Sequence, residues 1–88
     1  MKQLLVFKSQ SCAPCKALAA MIKETTLDVD QITTVDSSCS KDMFMEYNVR
    51  SVPTSILKKN GEVISTYIGY HTKDAYLAFI AGDIVRVG

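Results

Sequence analysis

Leu4, Leu5, Val6 and Phe7 stand together as an unbroken apolar run within Gln3 to Lys8. A short run of this kind reads as a strand buried on both faces. A polar turn, Ser9 to Ser11, leads into Cys12. From Ala13 to about Thr25 the spacing becomes helical, with Cys15, Leu18, Ala19 and Ile22 at i, i+3, i+4 and i+7 on one face. Pro14 suits the first turn of that helix, where its missing N–H has no partner to lose. Gln31 to Val35 is a second short β-branched strand ending at Asp36. Ser37 to Ser40 punctuate the chain before a short helix around Lys41 to Tyr47. Thr54 to Lys59 and Glu62 to Ile68 flank Asn60-Gly61, the dipeptide that supplies the positive φ angles of a type I′ hairpin turn. Gly69 breaks the last strand. Thr72 can cap a final helix to about Ala81, and the tail 82–88 alternates too weakly to assign.

The order is therefore β-α-β-α-β-β-α, an α/β layout. Two strands joined by a helix are expected to run parallel, so their carboxyl ends open on one edge of the sheet. That edge is where α/β folds place their chemistry. Cys12 follows one of those ends and Cys39 follows the other.

Length and charge narrow the function. Eighty-eight residues are expected to make a single domain, 1–88, with 48% hydrophobic residues to fill one core. The net charge is +1, and both halves are balanced: five basic and five acidic groups in 1–44, five and four in 45–88. No basic face for nucleic acid or an anionic membrane follows from such a distribution. The run Leu4 to Phe7 is too short for a signal peptide or a membrane span, so the cytoplasm is the expected location.

Three cysteines in so short a chain change the picture. An odd count fits a secreted disulfide scaffold poorly. Cys12 and Cys15, two residues apart, read as redox or metal chemistry, or as inert core thiols. A metal site would draw on Cys12, Cys15, Cys39 and His71, but structural zinc uses two close pairs and here the second is missing. Redox chemistry has the better support. Cys12 falls where the helix begins, and the positive end of the helix dipole stabilises a thiolate there, with Lys8 and Lys16 adding charge. Such helix-start thiols reach pKa values of ~3.5 to ~7 against ~8.5 for a free thiol. Cys15 shares the apolar face with Leu18 and Ile22. Residues three apart on a helix are close enough for a disulfide. An exposed attacker beside a sheltered resolving thiol is what reversible disulfide exchange requires.

Cys12-Ala13-Pro14-Cys15-Lys16 after a buried strand, Val52-Pro53-Thr54 before the next, Lys59-Asn60-Gly61-Glu62 at the hairpin and Gly69 before the last helix together resemble the thioredoxin family. The resemblance spans about Leu4 to Ala81. It implies a minimal thioredoxin-like fold, a four-stranded mixed sheet with helices on both faces. It also implies that Cys12 attacks, that Cys15 resolves, that Pro53 is cis and faces them, and that Gly69 lines a partner surface with Ala13, Pro14 and Val52. The backbone of Val52 can pair with an extended substrate segment. Reduction of protein disulfides, a reversible Cys12–Cys15 disulfide, no bound cofactor or metal and a monomer are expected. Electrons from NADPH through a flavoprotein thioredoxin reductase, and targets such as ribonucleotide reductase, are what the resemblance implies. A glutathione-dependent glutaredoxin is the nearest rival, and a redox-inert accessory subunit is the rival of another class.

Departures from the family pattern are equally specific. Its buried strand aspartate falls on Val6, the accompanying lysine on Ile32, and its two tryptophans on Lys8 and Ser11. The first strand then supplies no base for Cys15, so water or the departing thiolate must take that proton. Asp36 is expected either to pair with Lys8 or to stand with it as a solvated charge. Cys39 is most simply an uninvolved loop thiol, with room for a regulatory one. His71 is expected on the surface, Phe44, Tyr47 and Phe79 in the core, and Tyr70 at the partner surface.

Overall fold

The run Leu4 to Phe7 lies inside strand β1 (Lys2–Lys8) of the computed structural model, which describes residues 1–81; the tail 82–88 lies outside the described residues. All four side chains are buried. Successive strand residues point to opposite faces. Leu4 and Val6 therefore join one core cluster, and Leu5 and Phe7 the other. The remaining elements are α1 (Ala13–Glu24), β2 (Gln31–Asp36), α2 (Lys41–Glu46), β3 (Thr54–Lys59), β4 (Glu62–Ile68) and α3 (Lys73–Ala81). The sheet runs β2-β1-β3-β4, with β1 and β2 parallel and the other two pairings antiparallel. This is the expected four-stranded mixed sheet with its expected element order.

Each face has its own helix partners. Leu18 of α1 and Tyr76, Phe79 and Ile80 of α3 pack on Leu4, Val6, Leu57 and Tyr67. On the opposite face Met43, Phe44 and Tyr47, in or just after α2, cover Leu5, Phe7, Val35 and Ile56. Phe7 meets Phe44 edge-on, with centroids 5.0 Å apart, a geometry worth ~0.5–1.5 kcal/mol beyond the buried area. A buried Tyr76 hydroxyl donates to Ser55 at 2.7 Å, which satisfies both groups inside the first cluster.

Local signals placed the ends. Asn60 and Gly61 have φ of 53° and 87°, the two left-handed residues of a type I′ turn. Thr72 Oγ1 accepts the Ala75 N–H at 3.3 Å and so caps α3. Two helices stop one residue early: Thr25 caps the end of α1 and Tyr47 that of α2. Ala19 departs from expectation. It is exposed, because the buried stripe of α1 runs through Cys15 and Leu18 to half-buried Ile22, and β2 is the outer strand on that side. Among the described residues no helix is long and apolar enough to cross a membrane.

Candidate active site

Register brings the chemistry to one end of the sheet. Lys8 stands opposite Asp36, Phe7 opposite Thr54, and Thr54 opposite Ile68. The loop carrying the cysteines, the end of β2, the start of β3 and the end of β4 therefore share that end. The Val52–Pro53 bond at the start of β3 is cis, and Pro53 is buried. The Pro53 carbonyl accepts the Gly69 N–H at 2.7 Å, tying the two loops together. Gly69 has a φ of 92°, a left-handed conformation that glycine adopts without a Cβ clash.

Cys12 and Cys15 form a disulfide with Cα atoms 5.2 Å apart. Their surroundings differ. Cys12 is the N-cap of α1, half-buried, and its sulfur accepts the Cys15 N–H at 3.1 Å. A sulfur in that position receives an orphan N–H and the positive end of the helix dipole, both of which favour its thiolate once reduced. Cys15 is 4% exposed on the side of Leu18. Ala13 and Pro14, between them, are exposed.

Two cavities adjoin Cys15. One of about 220 Å³ is lined by Lys8, Ser9, Gln10, Cys15, Lys16 and Ala19. The other, about 160 Å³, lies against β2 and includes Val6, Cys15, Ile22 and Ile32. Val6 and Ile32, which stand where the family has an acid and a lysine, thus face the same space as the resolving sulfur. They leave it without an ionisable group on either strand position.

Asp36 was expected either to pair with Lys8 or to stand with it as a solvated charge, and its hydrogen bonds come from Ser38 instead. Its carboxylate accepts the Ser38 hydroxyl at 2.7 Å and the Ser38 N–H at 2.8 Å. Those two bonds set its pKa below the usual carboxylate value, and the charge of Lys8 adds only the smallest push in the same direction. The signal for this was present in Asp36-Ser37-Ser38, since aspartate readily bonds the N–H two residues on. Cys39, next along the same loop, is exposed, with its sulfur 3.6 Å from Ser38 Oγ. His71 is less of a surface residue than expected. Its ring stacks on Tyr67 at 3.6 Å and 4°, and Nε2 donates to the Ile68 carbonyl at 2.8 Å. Tyr70 is exposed beside Gly69. Among the described residues no group of three His, Cys, Asp or Glu is placed to hold a metal ion.

A sheet that delivers a Cys-x-x-Cys pair to a helix start, at the same end as a cis-proline, is the arrangement of a dithiol–disulfide oxidoreductase. The family model described as Thioredoxin matches residues 1–82. Thioredoxin C-2 of Corynebacterium nephridii is 32% identical over 84 residues, covering 92% of this chain and 78% of its own length. A thioredoxin of Rickettsia bellii is 30% identical over 84 residues, covering 92% and 80%. Among solved structures, reduced Schistosoma mansoni thioredoxin pre-protein superposes with a TM-score of 0.82 at 27% identity, covering 94% of this chain and 79% of that one. A mutant thioredoxin from Halobacterium salinarum also gives 0.82, at 26% identity, covering 92% and 73%. The chain belongs to the thioredoxin family. It is a thiol–disulfide oxidoreductase, and the two relatives named above both carry the thioredoxin name.

Proposed function

We propose that the chain reduces protein disulfides by attack from Cys12 and resolution by Cys15. The observation that carries the assignment is their unequal burial around one disulfide, half-buried N-cap against 4% exposed. The Cys12 thiolate attacks one sulfur of a substrate disulfide, forming a mixed disulfide and expelling the other sulfur as a thiolate. Cys15 then gives up its proton and attacks Cys12 Sγ. The second substrate thiolate leaves, and the Cys12–Cys15 disulfide remains, two electrons having passed to the substrate. Water or the first departing thiolate takes the Cys15 proton, because Val6 and Ile32 supply no base. An extended substrate segment pairs with the Val52 backbone beside Pro53, and Ala13, Pro14 and Gly69 complete the contact surface.

We further infer that electrons return from NADPH through a flavoprotein thioredoxin reductase, that the chain works as a monomer in the cytoplasm, and that ribonucleotide reductase is among its targets. Family membership supports this reading. The test is trapping. Cys15→Ser should accumulate mixed disulfides with insulin through Cys12, whereas Cys12→Ser should accumulate almost none. Equal trapping by both variants overturns the assignment. Turnover supported by glutathione and not by thioredoxin reductase overturns the proposed donor.

A further inference from the structure

The cavity of about 220 Å³ beside the disulfide has a lining that the exchange chemistry alone does not require. Its cations are Lys8 and Lys16, its neutral polar groups Ser9 and Gln10, its small wall Ala19, and Cys15 forms part of it. No carboxylate contributes to that lining among the described residues. Lys16 follows Cys12 by one helical turn, with its N–H on the Cys12 carbonyl at 3.3 Å. Residues four apart on a helix are neighbours, so Lys16 and Cys12 share one side of the helix start. Lys8 ends β1, half-buried, across the cavity. Asp36, opposite Lys8 in the register, keeps its charge while bonding Ser38 and is felt by Lys8, but it forms no part of the cavity lining. The volume falls short of a drug-sized pocket of ~300 Å³ or more, which suits one carboxylate-bearing arm rather than a whole folded ligand.

We propose that this cavity is an anion subsite, and that through it the chain reduces small disulfides carrying carboxylates in preference to neutral or cationic ones. The proposal rests on the reading that Cys12 attacks. While Cys12 bonds to one substrate sulfur, the carboxylate of that half lies between Lys8 and Lys16 and accepts hydrogen bonds from their ammonium groups. The balance is that of the protein reaction. The Cys12 thiolate displaces one small thiolate, the Cys15 thiolate displaces the other from Cys12, and the dithiol supplies both electrons. No further reductant enters a single turnover.

The experiment uses the reduced full chain in single turnover with three probes: dithiodipropionate as dianion, bis-hydroxyethyl disulfide as neutral, cystamine as dication. Each variant is compared with the parent probe by probe, which cancels leaving-group chemistry. A lysine's effect on the Cys12 thiolate acts on all three probes and is read from the neutral one. Lys8→Gln and Lys16→Gln should each lower the dianion rate about three-fold relative to the neutral probe, and raise the cystamine rate relative to it, as unit charges a few ångströms apart in a watery groove require. Lys8→Arg should keep the parent ratio. Lys23→Gln, which lines only the cavity against β2, should leave it within about two-fold. High salt should shrink the dianion advantage. A dianion rate that falls no further than the neutral rate in both Gln variants overturns the subsite. Insulin reduction by the same preparations separates the two levels. Insulin still reduced, with no charge preference among the three probes, removes the subsite alone, whereas loss of insulin reduction, or equal trapping of insulin by Cys15→Ser and Cys12→Ser, removes the underlying reading as well.

Discussion

Where β1 begins, polar groups are consumed in holding the chain together. Asp30 accepts the Lys2 N–H at 2.6 Å, and its own N–H goes to the Lys2 carbonyl at 2.8 Å. Lys2 Nζ donates to the Ile80 carbonyl in the last turn of α3 at 3.1 Å, where the negative end of the helix dipole adds attraction. Asn60 takes the N-terminal ammonium on its side chain and gives its N–H to the Met1 carbonyl. Where β1 ends, the cations face open space instead. Lys8 and Lys16 line a cavity beside a reactive disulfide, while Asp36 takes its hydrogen bonds from Ser38. One end of the same sheet is clamped and the other is left available. A charge already engaged by its own backbone is poorly placed to meet a substrate, so the contrast separates stability from reactivity along a single strand.

The strongest way to break that division is to put a charge beneath the reactive end. Val6 is 7% exposed and shares a cavity with Cys15. Val6→Asp should lower the unfolding free energy by about 3–4 kcal/mol at pH 7. The sign follows from burial: the folded pKa of the new acid is raised, so folding is least penalised below the unfolded value of ~3.9 and the penalty grows as pH rises through the folded value. Denaturant unfolding across pH checks this. The same variant should add a titration coupled to Cys15 in the pH–rate profile, where the parent profile should show only Cys12.

Next in size is the hydroxyl pair between the two ends. Burial pushes the Tyr76 phenol up to about 12, and the Ser55 bond offsets only part of that. Tyr76→Phe leaves Ser55 buried without its donor and should cost about 1–3 kcal/mol at pH 7. Because the folded pKa is raised, the tyrosine's contribution is complete below pH ~10 and fades as pH climbs towards 12. The stability gap between parent and variant should therefore narrow over that window. A gap constant from pH 8 to 12 would show that the phenol titrates normally.

Asp30→Ala tests the clamped end directly. Loss of the Lys2 bond should cost about 1 kcal/mol and leave insulin reduction unchanged, since Asp30 belongs to no part of the site. A drop in turnover with native stability would show that the two ends are not separable. The smallest effect belongs to Ser38→Ala. Asp36 loses its first hydrogen bond there, so its carboxyl should titrate closer to the ordinary value, as carboxyl NMR shifts would report. The depressed pKa stabilises the fold above the unfolded carboxylate value and is lost as pH falls through the folded one. Only the acid side of the stability curve should move.

Much of this was legible along the chain. Four adjacent apolar residues permit little but a doubly buried strand, and the 3.6-residue spacing after Pro14 announces α1. Asn60-Gly61 carries its own φ angles, and a cysteine at a helix start carries its own electrostatics, so both could be read without a neighbour in view. These are local properties, set by covalent geometry and by residues within one turn or one strand.

Tertiary structure decided what depends on partners distant in sequence. That Ala19 lies at a cavity and not in the core depends on β2 being the outer strand. That Asp36 bonds Ser38 depends on how the loop after β2 folds back, although the Asp-x-Ser pattern offered a hint. His71 stacks on Tyr67 only because the turn at Gly69 returns the chain over β4. The family resemblance implied the cis form of Val52–Pro53, while the residues by themselves read only as a strand-start proline. The pairing of a clamped end with an available one lay outside any local reading, because it depends on Met1, Lys2, Asp30, Asn60 and Ile80 meeting from four separate stretches of chain. Periodicity reports which face of an element is buried; only packing determines which polar groups remain unspent.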